Sequence, residues 1–173
     1  PNRRRFIERL DDALAAAAAT PPRPFAVMYL DFDSFKAIND RHGHAAGDEL
    51  LVQLGQRIHE RLRLRDLVAR LGGDEFAVLV PDLGHEKDAI GLAERLLEAL
   101  ARPLQLRGGV QTVATASIGI TFSSLGYTDA EAVLRDADNA LYKAKHAGRA
   151  RYAVFDAGLH AAVSERLQLA GQL

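Results

Sequence analysis

The alternation of apolar and polar positions divides the chain into helices and strands that follow one another closely. Apolar side chains recur at helical spacing in five segments, which are residues 6–19, 48–64, 87–100, 128–146 and 157–170. Short runs of aliphatic and β-branched residues predict strands at residues 25–31, 66–80 (the two arms of a hairpin), 110–122 and 152–155. Leu104-Gln105-Leu106 is a short run suited to pair with the strand at 110–122.

The hairpin predicted at residues 66–80 carries a polar tip. Two apolar arms flank Gly72-Gly73-Asp74-Glu75-Phe76, and glycine-containing turns are typical of such connections. The order of elements, with hairpins as well as helical crossovers, indicates an α/β fold. We expect a mixed, largely antiparallel central sheet flanked by helices, of ferredoxin-like character, with this motif on the β-hairpin.

Composition narrows the class of protein. The chain has 173 residues, of which 48% are apolar and 26% charged, as in an ordinary globular domain. A net charge of −1 gives no overall basic surface for nucleic acid, and the absence of cysteine excludes disulfides, thiolate metal sites and a cysteine nucleophile. No apolar run approaches the roughly 20 residues of a membrane span. We therefore expect a cytoplasmic domain with no nucleic-acid partner and no membrane segment.

The hairpin tip combines two glycines with two carboxylates. Gly72 and Gly73 let a ligand approach the backbone, and Asp74 and Glu75 are suitable ligands for a hard cation. A polyphosphate substrate needs both features. A plain surface turn with solvated acids has the same composition, because Gly and Asp favour turns for conformational reasons alone. The tip by itself leaves both interpretations open.

A second acidic stretch directly follows the strand predicted at residues 25–31. Asp31 stands at the strand end, where its carboxylate and a neighbouring backbone carbonyl can coordinate Mg²⁺. A lone Asp in such a place more often caps a helix or is solvated in a loop. The acids at the hairpin tip favour the metal interpretation, because they offer the second acidic site that a polyphosphate-bound metal needs.

Asn39 and Asp48 lie nine residues apart. An Asp carboxylate can accept from both N1–H and the exocyclic amine of guanine, and an Asn side chain can bond the adjacent edge. A turn-forming Asn and a helix N-capping Asp are the alternatives. His42 and His44 flank Gly43 without a further ligand nearby in the sequence, so we predict a loop there rather than a metal site.

Lys145 and Arg149 lie at the end of the helix predicted at residues 128–146. Cations there favour the negative end of the helix dipole, and Gly148 is placed as a C-cap. The same cations can reach the β- and γ-phosphates of a nucleotide, with Arg in fork geometry. The sequence has no Gly-x4-Gly-Lys-Ser/Thr run, which excludes a P-loop.

Together these motifs resemble the GGDEF family of diguanylate cyclase domains, named for the motif at residues 72–76. The resemblance covers nearly the whole chain, since it includes residues 1–4, 31–48, 114–120, 137–145 and 148–149. It implies a nucleotide-cyclase fold. It also implies that two GTP condense to cyclic di-GMP with loss of two pyrophosphates, each half-site being supplied by one protomer of a homodimer.

The resemblance implies a role for each matching residue. Asp31, the Phe32 carbonyl and Asp74 would hold Mg²⁺ (or Mn²⁺), two ions per active site. Glu75 would bind metal or help to deprotonate the attacking ribose 3′-hydroxyl.

The other implied roles concern the nucleotide. Asn39 and Asp48 would read guanine, and His44 would lie beside the same nucleoside. The residues that would surround the phosphates are Phe35, Lys36, Gly72, Gly73, Lys145 and Arg149. In-line phosphoryl transfer of this kind depends mostly on positioning and charge neutralisation.

Arg63-Leu64-Arg65-Asp66 resembles the product-inhibition site of the family. Asp66 precedes Gly72 by six positions, and the resemblance implies that Arg63 and Asp66 grip the guanines of a cyclic di-GMP dimer, with Arg95 as a secondary arginine. Arg can bond the O6/N7 edge of guanine bidentately. A solvated, basic helix end is the alternative.

The resemblance also divides the chain. Residues 1–156 are expected to form the GGDEF domain, and residues 157–173 resemble the helix that often joins it to an EAL-family phosphodiesterase. An upstream sensor and a downstream EAL domain are then expected in the parent chain. A catalytically silent GTP-binding module that controls such a phosphodiesterase is the alternative function. Degenerate members usually lose signature acids or glycines, and the intact motif here favours the enzyme.

Overall fold

The computed structural model describes residues 2–156, which form a five-stranded sheet with helices on both faces. The helices are α1 (Arg3–Ala18), α2 (Phe35–His42), α3 (His44–Arg61), α4 (Glu86–Leu100) and α5 (Ala130–His146). The strands are β1 (Ala26–Phe32), β2 (Leu67–Gly72), β3 (Glu75–Val80), β4 (Leu104–Gln105), β5 (Gln111–Thr112), β6 (Ala116–Phe122) and β7 (Tyr152–Val154).

The main sheet has the order β2-β3-β1-β6-β7 and is antiparallel except between β6 and β7. Strands β4 and β5 form a separate two-stranded ribbon. The path from β1 through α2 and α3 to β2, β3, α4 and β6 is a ferredoxin-like unit, to which α5 and β7 are added. The predicted mixed, largely antiparallel sheet with the motif on a hairpin is confirmed.

Strand β1 lies at the centre of the sheet, and all of its residues are buried. Successive side chains point to opposite faces of a strand. Met28 and Leu30 therefore pack in the layer of α3 and α4, whereas Val27 and Tyr29 pack in the layer of α1 and α5. Burial on both faces explains why the strand reads as a continuous apolar run. Asp31 is on the same face as Tyr29, toward α5.

The segment between β1 and β2 contains two helices, whereas the apolar pattern predicts one at residues 48–64. Gly43, with φ of +89°, separates α2 from α3. Helix α2 buries only Ile38 completely, so its apolar periodicity is too weak to indicate a helix. The loop predicted around the two histidines is also wrong, because His42 ends α2 and His44 begins α3.

The long strand predicted at residues 110–122 is wrong as well. It is interrupted between β5 and β6, because the chain turns there to reach Asp33: the Asp33 N–H donates to Thr115 O at 2.9 Å, and the Thr115 hydroxyl donates back to the Asp33 carboxylate. The expected pairing of Leu104 and Gln105 is confirmed, but with β5 and outside the main sheet.

The remaining elements agree with the predictions to within a few residues. Helix α1 starts three residues earlier than predicted, because the Asn2 side chain accepts from Arg5 N–H and caps it. Asp129 caps α5 in the same way. The helix predicted at residues 157–170 lies outside the described residues. Among residues 2–156, the structure contains no helix of the length and hydrophobicity needed to span a membrane.

Candidate active site

Three carboxylates meet where β1 ends and β3 begins. Asp31 and Glu75 are partners in the antiparallel register, so both lie at the same end of the sheet, beside the hairpin tip. Asp74 lies in the turn between β2 and β3, close enough to Asp31 for the two carboxylates to repel each other. The structure therefore brings together the three acids that the sequence analysis assigns to metal.

Asp31 is 9% exposed and is paired with one cation. The Lys145 ammonium, in the last turn of α5, donates a hydrogen bond to Asp31 Oδ2. The other oxygen, Oδ1, is buried and has no hydrogen-bond partner among the described residues. A buried acceptor left without a partner is costly, so this oxygen is suited to a ligand that completes it.

Asp74 is held in an unfavourable electrostatic environment. Burial raises the pKa of Asp74 from 3.8 to about 6, and hydrogen bonding to Asp31 and repulsion from it add to the rise. A backbone hydrogen bond and Lys145 lower that pKa in part. Because ionised Asp74 and Asp31 repel each other, a divalent cation between them would be stabilising.

The donor set fits a metal ion bound together with a substrate. Within residues 2–156, no three His, Asp or Glu side chains are arranged to hold a metal ion by themselves. Further ligands must therefore come from backbone carbonyls or from phosphate oxygens, both of which suit Mg²⁺. Phe32, whose carbonyl is predicted to take that role, is the last residue of β1 and follows Asp31 directly.

Two residues beside Glu75 are missing from the predicted site. Tyr29 donates a hydrogen bond of 2.8 Å to Glu75 Oε2. Asp138, on α5, has its pKa raised by burial and by Glu75, while Lys145 lowers it. The sequence contains only a weak spacing signal for them, since Tyr29 lies two positions before Asp31 on one face of β1 and Asp138 lies two helical turns before Lys145.

A cleft of about 170 Å³ lies between the strand residues Asp31 and Glu75 and helix α5. It is lined by Asp31, Glu75, Asp138, Asn139, Leu141, Tyr142 and Lys145. Acids lie on both of its sides, and the ammonium of Lys145 lies among them. Such a cleft can accept a cation together with the anionic group that the cation binds.

Arg149 is held near the cleft by Asp33. The Asp33 carboxylate accepts hydrogen bonds from the hydroxyls of Thr115 and Ser117 (2.7 Å each) and from Ala150 N–H (3.1 Å). Arg149 Nη1 lies 3.9 Å from Asp33 Oδ1. Arg149 and Ala150 both have positive φ (62° and 49°), which is uncommon for residues with a side chain. Asp33, a residue without a predicted role, thus stabilises the loop that carries Arg149.

Gly72 and Gly73 present bare backbone at the hairpin tip. A Cβ placed on either residue would have no atom within 4 Å, and Gly73 has φ of +46°. Arg70 Nε donates to Gly73 O at 2.8 Å and stabilises the turn. The tip is an ordered turn with open space around its glycines, as a phosphate-binding role requires.

Asn39 and Asp48 occupy facing helices. Asn39 lies in α2 and Asp48 in α3, so neither the turn nor the N-cap alternative holds. Asn39 Oδ1 is buried without a partner within the part of the chain that the structure describes. It lies directly against Gly47, where an added Cβ would be 1.7 Å away. The buried amide oxygen of Asn39 can accept a hydrogen bond from a ligand, and the carboxylate of Asp48 is exposed. This pair of groups fits recognition of a base.

The other predicted substrate residues lie at the starts of these two helices. Phe35 is half-buried and Lys36 exposed in the first turn of α2, and His44 is exposed at the start of α3. The Ser34 side chain makes no capping hydrogen bond, so the N-cap residue does not satisfy the first N–H groups of α2. Helix N-termini of this kind favour anions.

A second cavity, of about 340 Å³, brings together the residues of the predicted inhibitory site. Arg63, Asp66 and Arg95 all line it, and so do Lys87 and Asp88. Arg63 Nη2 lies 3.1 Å from Asp66 Oδ1, and the Asp66 side chain is only 2% exposed. The pair is therefore an ordered feature of the cavity wall.

The basic stretch around Arg63 is more than a solvated helix end. Arg57 donates hydrogen bonds to the carbonyls of Ala99, Arg102 and Pro103 at 2.7 to 3.0 Å, which satisfies the C-terminus of α4. Burial lowers the pKa of Arg57, as expected for a guanidinium that is partly withdrawn from water.

The fold and the site define an α/β domain with an acidic, metal-compatible cleft beside a hairpin tip. The family model described as "Diguanylate cyclase, GGDEF domain" matches residues 1–151, and the chain belongs to that family. The resemblance to the GGDEF family that the sequence motifs indicate is thereby confirmed.

Curated relatives agree with the assignment. The chain is 40% identical over 170 residues to the bifunctional diguanylate cyclase/cyclic di-GMP phosphodiesterase MucR of Pseudomonas aeruginosa, covering 98% of this chain and 24% of the relative. It is 44% identical over 149 residues to diguanylate cyclase TpbB of the same species, covering 86% of this chain and 34% of the relative. The chain therefore spans about a quarter to a third of these proteins.

Solved structures agree as well. The GGDEF domain of TpbB (YfiN) from P. aeruginosa superposes with a TM-score of 0.86 at 42% identity, covering 90% of each chain. The GGDEF domain of DgcB from Caulobacter crescentus, solved in complex with c-di-GMP, gives 0.82 at 29% identity, covering 88% of this chain and 90% of that one.

Proposed function

We propose that this domain condenses two GTP molecules into cyclic di-GMP with release of two pyrophosphates. One observation carries the proposal: Asp31, whose Oδ1 is buried without a hydrogen-bond partner among the described residues, is next to Asp74 and lines a cleft together with Glu75 and Lys145. Such a cleft suits a divalent cation bound to a triphosphate. Membership of the diguanylate cyclase family supports the same reaction.

The metal would be Mg²⁺ or Mn²⁺, with two ions per active site held by Asp31, the Phe32 carbonyl, Asp74 and Glu75. When bound, these ions neutralise the phosphates and lower the pKa of the attacking hydroxyl. Asp31 and Asp74 would lose their mutual repulsion at the same time. Glu75 either contributes a ligand or accepts the proton of the ribose 3′-hydroxyl.

Charge neutralisation by side chains would complete the phosphate site. Lys145 would turn from Asp31 to the β- and γ-phosphates, and Arg149 would bind them from the loop that Asp33 stabilises. Gly72 and Gly73 would contact the phosphates through bare backbone, and Phe35 and Lys36 would do so from the start of α2. Positioning of this kind accounts for most of the catalysis of phosphoryl transfer.

Recognition of the base would select guanine over adenine. Asp48 would accept from N1–H and the exocyclic amine, which adenine does not present in that pattern, and the amide of Asn39 would bond the neighbouring edge. His44 would lie beside the same nucleoside.

Catalysis requires two copies of the domain. Each domain would bind one GTP, so each of the two new phosphodiester bonds joins a 3′-hydroxyl from one protomer to an α-phosphate from the other. A monomer should therefore bind GTP but turn it over poorly.

The second cavity would bind the product. Arg63, Asp66 and Arg95 would hold the guanines of cyclic di-GMP, and binding there would inhibit turnover. Isothermal titration with cyclic di-GMP tests this directly: Arg63→Ala should abolish binding and relieve inhibition, whereas Arg4→Ala, an exposed arginine on α1, should change neither. Inhibition that persists in Arg63→Ala would contradict the assignment.

The central experiment is to incubate the domain with GTP and Mg²⁺ and to separate the products by chromatography. Cyclic di-GMP is expected with GTP and absent with ATP. Glu75→Gln should abolish product formation, and Glu94→Gln, an exposed acid on α4, should not.

A dimerised domain that binds GTP but yields no cyclic di-GMP would instead favour the silent regulatory module. The similarity of this chain to MucR, which is also a cyclic di-GMP phosphodiesterase, and to an EAL/GGDEF domain protein from M. capsulatus supports a downstream EAL domain in the parent chain. An upstream sensor, and a domain boundary near residue 156, remain predictions.

A further inference from the structure

The phenol of Tyr29 is aimed at the active site from within the core. Tyr29 is only 9% exposed and belongs to the apolar layer formed with α1 and α5. Its hydroxyl nevertheless donates a hydrogen bond of 2.8 Å to Glu75 Oε2. Among the described residues, this phenol is the one hydrogen-bond donor to the Glu75 side chain.

The sheet makes room for this contact. The register partners of Tyr29 are Ala77 on β3 and Gly119 on β6, so no bulky side chain stands beside the ring on either strand. Glu75 is two residues from Ala77 and thus diagonal to Tyr29, and diagonal neighbours across a ladder are within reach of aromatic side chains. The hydroxyl of a tyrosine at position 29 can therefore reach the carboxylate of Glu75, whereas an aliphatic side chain is too short to contact it.

Glu75 needs a fixed partner because its surroundings are acidic. Asp31 is opposite it in the register, and Asp138 on α5 is close enough that Glu75 raises the pKa of Asp138. A carboxylate between two other acids would turn away from them unless a donor held it. Burial and the hydrogen bond to Glu75 raise the pKa of Tyr29 well above its usual value of 10, so the phenol keeps the proton that it donates.

We propose that Tyr29 is a positioning residue that holds the Glu75 carboxylate in the orientation required by the active site. Oε2 is occupied by the phenol, which leaves Oε1 for the cation or for the proton of the ribose hydroxyl. Tyr29 itself touches neither substrate nor metal. This inference rests on the proposed function, since that function gives Glu75 its role.

The test is Tyr29→Phe, which keeps the buried ring and removes only the hydroxyl. Binding of Mn²⁺ to the domain with a non-hydrolysable GTP analogue is measured from the loss of the free Mn²⁺ signal in electron paramagnetic resonance, without any turnover. We expect Mn²⁺ affinity to fall roughly tenfold, as is typical when a group that orients a metal ligand is removed. In turnover assays kcat should fall by a similar factor, while KM for GTP stays within about twofold because the phosphate and base contacts are intact.

Tyr127→Phe is the matched control. Tyr127 is half-buried, and its hydroxyl donates a hydrogen bond to a carboxylate, that of Asp136, of the same 2.8 Å length as the bond from Tyr29 to Glu75. Asp136 is not among the residues that line the cleft. Thermal unfolding of both variants measures any loss of stability, and Tyr127→Phe should leave Mn²⁺ affinity unchanged.

A double-mutant cycle separates positioning from packing. If Tyr29 acts through Glu75, then Tyr29→Phe should have no further effect on Mn²⁺ affinity in a Glu75→Gln background. Unchanged Mn²⁺ affinity and kcat in Tyr29→Phe, or equal losses in both tyrosine variants, would overturn the proposal. So would additive effects in the cycle. A wild-type domain that binds Mn²⁺ and the analogue but forms no cyclic di-GMP even when fused to a dimeric coiled coil would contradict the proposed function alone, because the binding curves still test Tyr29.

Discussion

Gly47 is the residue whose missing side chain matters most for the proposed recognition of the base. It lies in α3, directly against the amide of Asn39, and a methyl group at this position would occupy the space of Asn39 Oδ1. Helix interiors disfavour glycine by roughly 1 kcal/mol relative to alanine. A glycine here is therefore explained by the neighbouring amide and not by the helix.

Gly47→Ala should separate binding from stability. The domain should be as stable as the wild type or more so, because Asn39 can swing outward and alanine favours the helix. Affinity for a GTP analogue should fall about fivefold or more, the value of one lost hydrogen bond. Calorimetric titration and thermal unfolding measure the two effects. Gly55→Ala, in the same helix with its nearest neighbour at 3.4 Å, should leave binding unchanged; equal binding by both variants would contradict the role given to Asn39.

Asp74 predicts a pH dependence of stability in the metal-free domain. Its pKa is raised by burial and by Asp31 from 3.8 to about 6, so the folded state binds a proton more readily than the unfolded state between those values. Ionised Asp74 therefore destabilises the fold above pH 6, and the cost declines as the pH falls toward 4. Asp74→Asn should raise Tm in chelator-treated samples at pH 7.5, with a smaller gain at pH 5. Asp11→Asn, at an exposed acid on α1, is the control, and a gain that grew on acidification would contradict this reading.

At the scale of elements, the contact between β6 and α5 fixes the cleft. Gly119 packs so closely on α5 that a Cβ would lie 2.1 Å from Ala137 O and 2.2 Å from Leu141 N. Both are backbone atoms of a regular helix and cannot move separately. The same helix carries Asp138 and Lys145, so the depth of the cleft is set by the absence of one methyl group from the sheet.

Gly119→Ala should therefore disturb both fold and site. We expect a loss of about 3 kcal/mol in the free energy of unfolding, at the upper end of overpacking effects, measured by urea titration. Affinity for the nucleotide should fall as well, because α5 must shift. Gly84→Ala, whose added Cβ would meet only the end of the Asp88 side chain at 3.3 Å, is expected to cost less than about 1 kcal/mol. A Gly119→Ala variant with wild-type stability would contradict the close packing of α5 against Gly119.

Elements with a strong apolar stripe were predictable, and those shaped by one polar contact were not. Helices α4 and α5 and the hairpin bury regular apolar faces, and the sequence pattern places them to within two residues. Helix α2 buries a single residue completely, so the pattern contains little to detect. The break before β6 depends on Asp33, which lies more than eighty residues earlier in the chain, and no local pattern contains that contact.

At the scale of the molecule, the predicted site residues divide in a similar way. Motif spacing singles out the acids and the lysine that the structure gathers at the cleft, because they stand at the ends of β1, β3 and α5. Motif spacing does not identify Tyr29 or Asp138. Tyr29 belongs to the apolar run of β1 and Asp138 to the polar face of a helix, and their closeness to Glu75 follows only from the strand register and the packing of α5. Such residues become visible only when strands from distant parts of the chain are aligned.

Because the proposed reaction needs two copies of the domain, we expect its activity to depend on protein concentration. If two copies must meet to join two GTP, specific activity should rise with protein concentration below the dimer dissociation constant and then level off. Fusion to a dimeric coiled coil should remove that dependence, and a monomeric fusion partner of similar size serves as the control. Specific activity that stays constant down to nanomolar concentration without fusion would contradict the need for assembly.

The contact between Lys145 and Asp31 links the binding of the cation to the binding of the nucleotide phosphates. One ammonium here balances the acid that would bind the cation, and the same ammonium is assigned to the phosphates. Each ligand therefore releases the partner that the other one needs, so the two should bind with positive thermodynamic coupling, and the coupling must be equal in both directions. In the absence of substrate the lysine acts as a built-in counter-ion, which keeps the acidic cleft folded until nucleotide and metal arrive together.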